Sequence, residues 1–249
     1  MYQNELMKLA CISMLFAAVF LVGCKHSTVS NSGKSNRRKT LKTSIPKIEE
    51  APKVEEKLVL FDGNSLDGWK KTNFGGEGGV TVADEQIRLK MGYPMTGINW
   101  TGAELPKTNY ELSMEAIRLE GSDFFCGATF PVADSHCTLI VGGWGGSLLG
   151  LSCIDDADAS ENDTTQFHEF EDQRWYTFRI RVQPDAITVW MDDKKVINQP
   201  LEGKRISLRN ETLPCRPLGF CSFDTVAALR NIQVTKFQSP EPQNSPARD

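Results

Sequence analysis

The sequence lacks a basic surplus: 28 lysines and arginines stand against 32 aspartates and glutamates, a net charge of −4. A chain that grips nucleic acid through its phosphates needs a dominant basic surface, so nucleic acid is excluded as a partner. There is no Gly-x-Ser-x-Gly elbow, no phosphate-binding P-loop and no dinucleotide fingerprint, which removes the commonest serine-hydrolase, nucleotidase and dehydrogenase readings. No helical stripe longer than two turns is legible. The one long apolar run, Leu9 to Val22, falls short of the ~20 residues a transmembrane helix needs. The domain cysteines, Cys126, Cys137, Cys153, Cys215 and Cys221, are odd in number and none has the spacing of a metal site. Cys215 with Cys221, and Cys137 with Cys153, are the pairings that spacing leaves open.

What is present begins with a signal. Leu9–Val22 has the length of a signal-peptide core and ends in Leu21-Val22-Gly23-Cys24. This resembles a bacterial lipobox, which implies a signal peptide over 1–23, a diacylglyceryl group on the Cys24 thiol and attachment to the cell envelope. Lys25 in the following position implies the outer membrane. Residues 24–57 are poor in hydrophobes and read as a tether. Their charge is polarised, with Lys34, Arg37, Arg38, Lys39 and Lys42 before Glu49, Glu50, Glu55 and Glu56. The basic block is either a solvated linker or a contact with anionic headgroups. A domain follows over 58–237, and 238–249 reads as a disordered tail.

Within the domain, short β-branched and aromatic runs alternate with turn residues. Strands are expected at Val59–Phe61, Val80–Val82, Gln86–Met91, Gly97–Trp100, Tyr110–Leu119, Phe124–Pro131, Cys137–Gly142, Leu148–Cys153, Trp175–Gln183, Ala186–Met191, Lys195–Asn198, Ile206–Leu208, Gly219–Phe223 and Ile232–Phe237. Many short strands indicate an all-β sandwich or barrel. Period-two alternation assigns faces. Leu112, Met114, Phe178, Ile180, Ile187 and Val189 turn inward. Glu111, Glu115, Arg179, Arg181 and Trp190 share the opposite face. A tryptophan beside two arginines off the core is a candidate substrate surface, unless a loop covers it.

Five segments resemble one family. Leu60-Phe61-Asp62-Gly63-Asn64-Ser65-Leu66-Asp67-Gly68-Trp69 matches its opening motif, Asn109–Glu115 its "[DN]-F-E-L-x-x-E" strand, and Leu229-Arg230-Asn231-Ile232 its closing "F-R-N-I". Arg174–Ile180 and Ile187–Val196 stand where it has two further strands. The family is the 3-keto-disaccharide hydrolases, also described as 3-keto-glucoside lyase and hydratase domains. The resemblance implies a two-sheet jelly-roll sandwich of the concanavalin and laminin-G type. It departs at Gly121–Phe130, where the family's "G-N-S-G-[IV]-x-x-R" is missing, and at Ser135–Val141, where its "E-x-Q-x-x-D" is missing. Phe61, Trp69, Arg230 and Asn231 read as structural.

The implied reaction removes a proton beside a C3 ketone and expels the glycosidic oxygen. It needs a base and something to steady the enolate, a task open to a divalent metal ion. Glu115, Asp123 and His136 are the candidate acid and base groups; for Glu115 the alternative is an ion pair with Arg179 or Arg181. Trp144, between two Gly-Gly pairs, is a candidate stacking platform, with Arg179, Arg181 and Trp190 as further substrate contacts. In the acidic run Asp155–Asp163, Asp156 and Asp158 alternate as calcium ligands can, although the loop is no EF-hand. The leading expectation is an envelope lipoprotein that cleaves 3-keto-glycosides; the alternative is a non-catalytic carbohydrate-binding or structural module of the same fold.

Overall fold

A computed structural model describes residues 52–239. Fifteen strands run in chain order: β1 Val54–Val59, β2 Trp69–Lys71, β3 Val80–Ala83, β4 Gln86–Leu89, β5 Met95–Trp100, β6 Tyr110–Gly121, β7 Cys126–Val132, β8 Ser135–Gly142, β9 Leu148–Ser152, β10 Gln166–Phe167, β11 Trp175–Val182, β12 Ala186–Met191, β13 Lys194–Pro200, β14 Gly219–Phe223 and β15 Thr225–Phe237. They form two antiparallel sheets. Sheet A has the order β13-β12-β11-β6-β15-β4-β3, with β1 also on β15; sheet B has the order β10-β9-β8-β7-β14-β5-β2. The fold is the expected jelly-roll sandwich.

The sandwich forms because alternation holds on both inner faces. In β6, Tyr110, Leu112, Met114 and Ala116 are buried, with Glu111, Ser113 and Glu115 half-buried between them. Phe178 and Ile180 on β11 and Ile187 and Val189 on β12 are fully enclosed. They meet Ala128, Phe130, Leu139 and Val141 of sheet B in a single core. Burying each large side chain contributes about 1.5–3 kcal/mol. Trp69 is buried and its Nε1 donates to the Leu60 carbonyl at 2.7 Å, so the opening motif clamps the chain entry as expected. Asp84-Glu85 and Asp192-Asp193 both have positive φ, the backbone of a tight two-residue hairpin.

Several elements differ from expectation. β1 starts at Val54, because residues 54–59 pair with Gln233–Phe237; the stretch read as the end of the tether is a strand. The expected strand Ile206–Leu208 is reduced to one bridge from Ile206 to Ile154, followed by a 3₁₀ turn at Asn210–Cys215. β2 and β10 escaped the reading because two or three residues are too few to show a period. Cys24 and residues 240–249 of the expected tail lie outside the described residues, while Gln238 still donates to the Lys53 carbonyl at 3.0 Å.

Candidate functional site

Each sheet has an outer face, away from the shared core, and the two are built differently. On sheet A the outer face carries charge. Cross-strand register places Arg179 beside Ser113 and Trp190, and Arg181 beside Glu111. Glu111 accepts from Arg181 Nε at 3.0 Å and Nη2 at 2.8 Å, and from Arg179 at 3.5 Å. Both guanidinium groups lie over the Trp190 ring, at 4.8 and 5.2 Å. Glu115 has other partners: Arg230 Nε donates to it at 2.8 Å and the Asn231 amide at 2.6 Å. Arg230 in turn stacks on Trp175 at 4.1 Å. A bulge between Arg230 and Gln233 in the β6–β15 register makes this grip possible, and Asn231 sits there in the left-handed region, φ 53°.

The expectation that Glu115 pairs with Arg179 or Arg181 is therefore corrected. Glu111, two repeats along β6, takes both arginines, and Glu115 joins two family motifs, "E-L-x-x-E" and "R-N-I". Both of its oxygens are engaged, which suits a structural lock better than a free base. Glu111, Glu115 and Arg179 border a groove of about 550 Å³ whose lining mixes Lys57, Ser113, Thr177 and Asn231 with Val59, Phe61 and Ile232.

The outer face of sheet B is covered instead. Two segments lie across it, 153–165 and 204–216. They are zipped together by charge: Lys204 pairs with Asp155 at 2.8 Å, Arg205 with Asp156 and Arg209 with Asp158. Backbone bonds between Cys153 and Ser207 and between Asp155 and Arg205 continue the seam. Beneath it Thr129, Thr138 and Ser152 are buried, and the Thr129 and Thr138 hydroxyls meet at 2.9 Å. Calcium does not fit the acidic run: Asp156 and Asp158 each face an arginine, which fills the carboxylate with positive charge. Among the described residues no cluster of three or more metal-ligating side chains occurs.

Beside this cover the outer face of sheet B opens into a cleft of about 260 Å³, mostly apolar, lined by Met95, Phe124, Ile140, Trp144 and Phe223 with Asp123, Asp158, Arg209, Glu211 and Thr212. Phe124 and Phe223 pack at 5.7 Å. The Gly-rich segment after β8 makes a tight left-handed turn in which Gly142, Trp144, Gly145 and Gly146 all have positive φ. Glycine adopts this backbone freely, whereas a bulky residue does so rarely. Trp144 does so at φ 49°, the residue 47% exposed at the cleft. Asp123 secures this turn: one oxygen accepts from the Phe124 amide at 2.7 Å and the other from the Gly145 amide at 3.2 Å. Arg118, buried under the same turn, donates to the Gly146 and Phe170 carbonyls at 3.2 and 2.8 Å and to Asp172 at 2.5 Å. Glu211 is held below the usual carboxylate range, chiefly by its hydrogen bond from Arg209.

The candidates are thus dispersed. Asp123, Trp144 and Asp158 come together in the cleft. Glu115 and Arg179 belong to the groove on sheet A, with Arg181 and Trp190 in the same network. His136 lines a third hollow with Lys107, Asp134 and Pro217, and burial followed by Arg216 and Lys107 pushes its pKa down. The expected trio Glu115, Asp123 and His136 does not assemble, because Glu115 is on β6 of sheet A while Asp123 precedes β7 and His136 lies in β8, at the other end of that hairpin in sheet B. Sequence reasoning missed Arg209, Glu211, Phe124, Phe223 and Arg118. Alternation marks Phe223 as outward from Phe220; the others depend on contacts between distant segments. The five cysteines are buried free thiols.

Residues 56–235 match the family described as the 3-keto-alpha-glucoside-1,2-lyase-like domain. No curated protein matches the chain. Among solved structures, a Bacillus subtilis protein of unknown function with a galectin-like fold superposes with a TM-score of 0.52 at 8% identity, over 74% of this chain and 96% of its own. The Crh5 transglycosylase in complex with NAG gives 0.50 at 12%, over 76% and 87%. A carbohydrate-binding module from Bacillus subtilis gives 0.47 at 12%, over 68% and 96%. At such identities the likeness is one of fold. The family match spans most of the chain, and with the two-sheet architecture it makes this a carbohydrate-active jelly-roll domain: the chain belongs to the 3-keto-alpha-glucoside-1,2-lyase-like domain family.

Proposed function

We propose that the domain recognises carbohydrate in the cleft on the outer face of sheet B. The observation that carries this reading is Trp144, a large aromatic side chain held in a strained backbone conformation and half exposed over apolar walls. Such outliers persist where the surroundings enforce them, and they cluster at ligand sites. The indole with Phe124 and Phe223 offers surfaces for the C–H face of a sugar ring. Arg209, Glu211 and Thr212 offer donors and acceptors for its hydroxyls.

Cleavage of a 3-keto-glycoside in the same cleft is the second reading, favoured by the family description. The chemistry needs a base beside the acidified C–H. Asp123 spends both oxygens on backbone amides, and Glu211, its pKa lowered by Arg209, is a weak base. Binding is therefore the better supported function. Titration against a panel of mono- to tetrasaccharides, followed by product analysis with 3-keto-oxidised disaccharides, tests both. Binding without turnover is the expected result. Turnover that Glu211→Gln abolishes would establish the second reading, and no binding across the panel would overturn the first.

We also infer envelope display through Cys24, on the strength of the lipobox. The full-length chain is expected to partition with membranes and Cys24→Ser to release it or leave it unprocessed. Wild-type protein recovered soluble at mature length would contradict this.

A further inference from the structure

We propose that the cleft recognises the end of a glycan and takes a single terminal sugar unit rather than an internal stretch of chain. This rests on the reading of the cleft as a carbohydrate site and specifies its ligand. A sheet face that binds along a polymer has to be open over several sugar lengths. Here the face is closed beyond Ile140. In the next cross-strand row Thr129 is fully buried, and Thr138 and Ser152 are nearly so. Thr138 meets the Thr212 hydroxyl of the 3₁₀ turn at 3.4 Å, and a Cβ built on Gly150 would lie 2.8 Å from the Ala159 carbonyl, so the cover sits directly on the strands. Asp158 fixes the cover at the border of the cleft, accepting from the Ser152 hydroxyl at 2.5 Å and from the Ala159 amide at 2.7 Å while it pairs with Arg209. Elsewhere on the cleft wall Asp123 holds the Trp144 turn.

What remains between these walls is about 260 Å³, below the ~300–1,000 Å³ of pockets that take drug-sized ligands. It has room for one ring. The polar groups, Arg209, Glu211 and Thr212, lie together on the cover, while Met95, Phe124, Ile140 and Phe223 supply the apolar floor. A terminal ring has an additional free hydroxyl, and the donors and acceptors clustered on the cover give that hydroxyl partners which an internal ring, bonded there to the next sugar, cannot use.

Isothermal titration of the full mature chain tests this. The probes are mono-, di-, tri- and tetrasaccharides of glucose, galactose, mannose, xylose and N-acetylglucosamine. For the sugar that binds, the di-, tri- and tetrasaccharide are expected to agree within about twofold, and Trp144→Ala is expected to weaken all three by the same factor, about tenfold. Affinity that climbs about tenfold or more from di- to tetrasaccharide would overturn end recognition while leaving the cleft a carbohydrate site. No binding by any member would overturn both.

Discussion

The two outer faces of this sandwich derive from the same alternation and end in opposite states. On sheet A, Glu111 with Arg179 and Arg181, and Glu115 with Arg230, form a cross-strand charge network stacked on Trp190 and Trp175. On sheet B, two loop segments zipped by three ion pairs cover the strands and leave a small apolar cleft. The family motifs present in the chain fall on sheet A and on the chain entry. The stretches where it departs from the family, Gly121–Phe130 and Ser135–Val141, fall on β7 and β8 of sheet B. The retained motifs thus hold the sandwich together, and the departures lie on the sheet that bears the cleft.

That contrast is most sharply broken at Arg118. Its guanidinium satisfies two carbonyls beneath the Trp144 turn, so Arg118→Ala leaves buried acceptors unmet. A loss of about 2–4 kcal/mol is expected in urea unfolding, together with loss of sugar affinity as the turn relaxes. A change below about 1 kcal/mol would mean that the turn stands without it.

A smaller effect separates the two carboxylates of sheet A. Glu115 is 21% and Arg230 38% exposed, so solvent screening limits their pair to about 1 kcal/mol. A double-mutant cycle of Glu115→Gln with Arg230→Gln is expected to show coupling of that order, and Glu115→Gln with Arg179→Gln almost none. Coupling of Glu115 to Arg179 instead would restore the pairing expected from alternation alone.

The smallest effect belongs to His136. Its folded pKa lies below the ordinary value of about 6.5, so the unfolded chain binds the proton more readily. The stability that this group contributes is present above pH ~6.5 and falls as the pH drops below it. The melting temperature is expected to decline by a degree or two between pH 7 and pH 5, a decline His136→Gln reduces. An identical profile in the variant would refute the assignment.

The sandwich was legible because it rests on period two. Tyr110, Leu112 and Met114 against Glu111, Ser113 and Glu115 state both the strand and its inner face, and the opening and closing motifs bracket the domain. The cleft was half legible. Trp144 among glycines announces an unusual backbone, and Asp123 stands out as a carboxylate at the mouth of a strand, although their contact spans 22 residues. Arg209 and Glu211 were invisible, since their place depends on the seam between 153–165 and 204–216. The acidic run Asp155–Asp158 looked like a cation site when read alone; its cations are the lysine and arginines some fifty residues on. Arg118 escaped notice for the same reason, its partners being 28 to 54 residues away.

The two faces each present a tryptophan, and this gives the most direct test. With the tightest-binding saccharide of the panel, the dissociation constant is measured for wild type, Trp144→Ala and Trp190→Ala, each checked for folding by its melting temperature. The cleft assignment predicts that Trp144→Ala weakens binding about tenfold with little change in stability, and that Trp190→Ala lowers stability but leaves affinity within about twofold. Affinity lost in Trp190→Ala and kept in Trp144→Ala would contradict it and move the site to the charged face of sheet A.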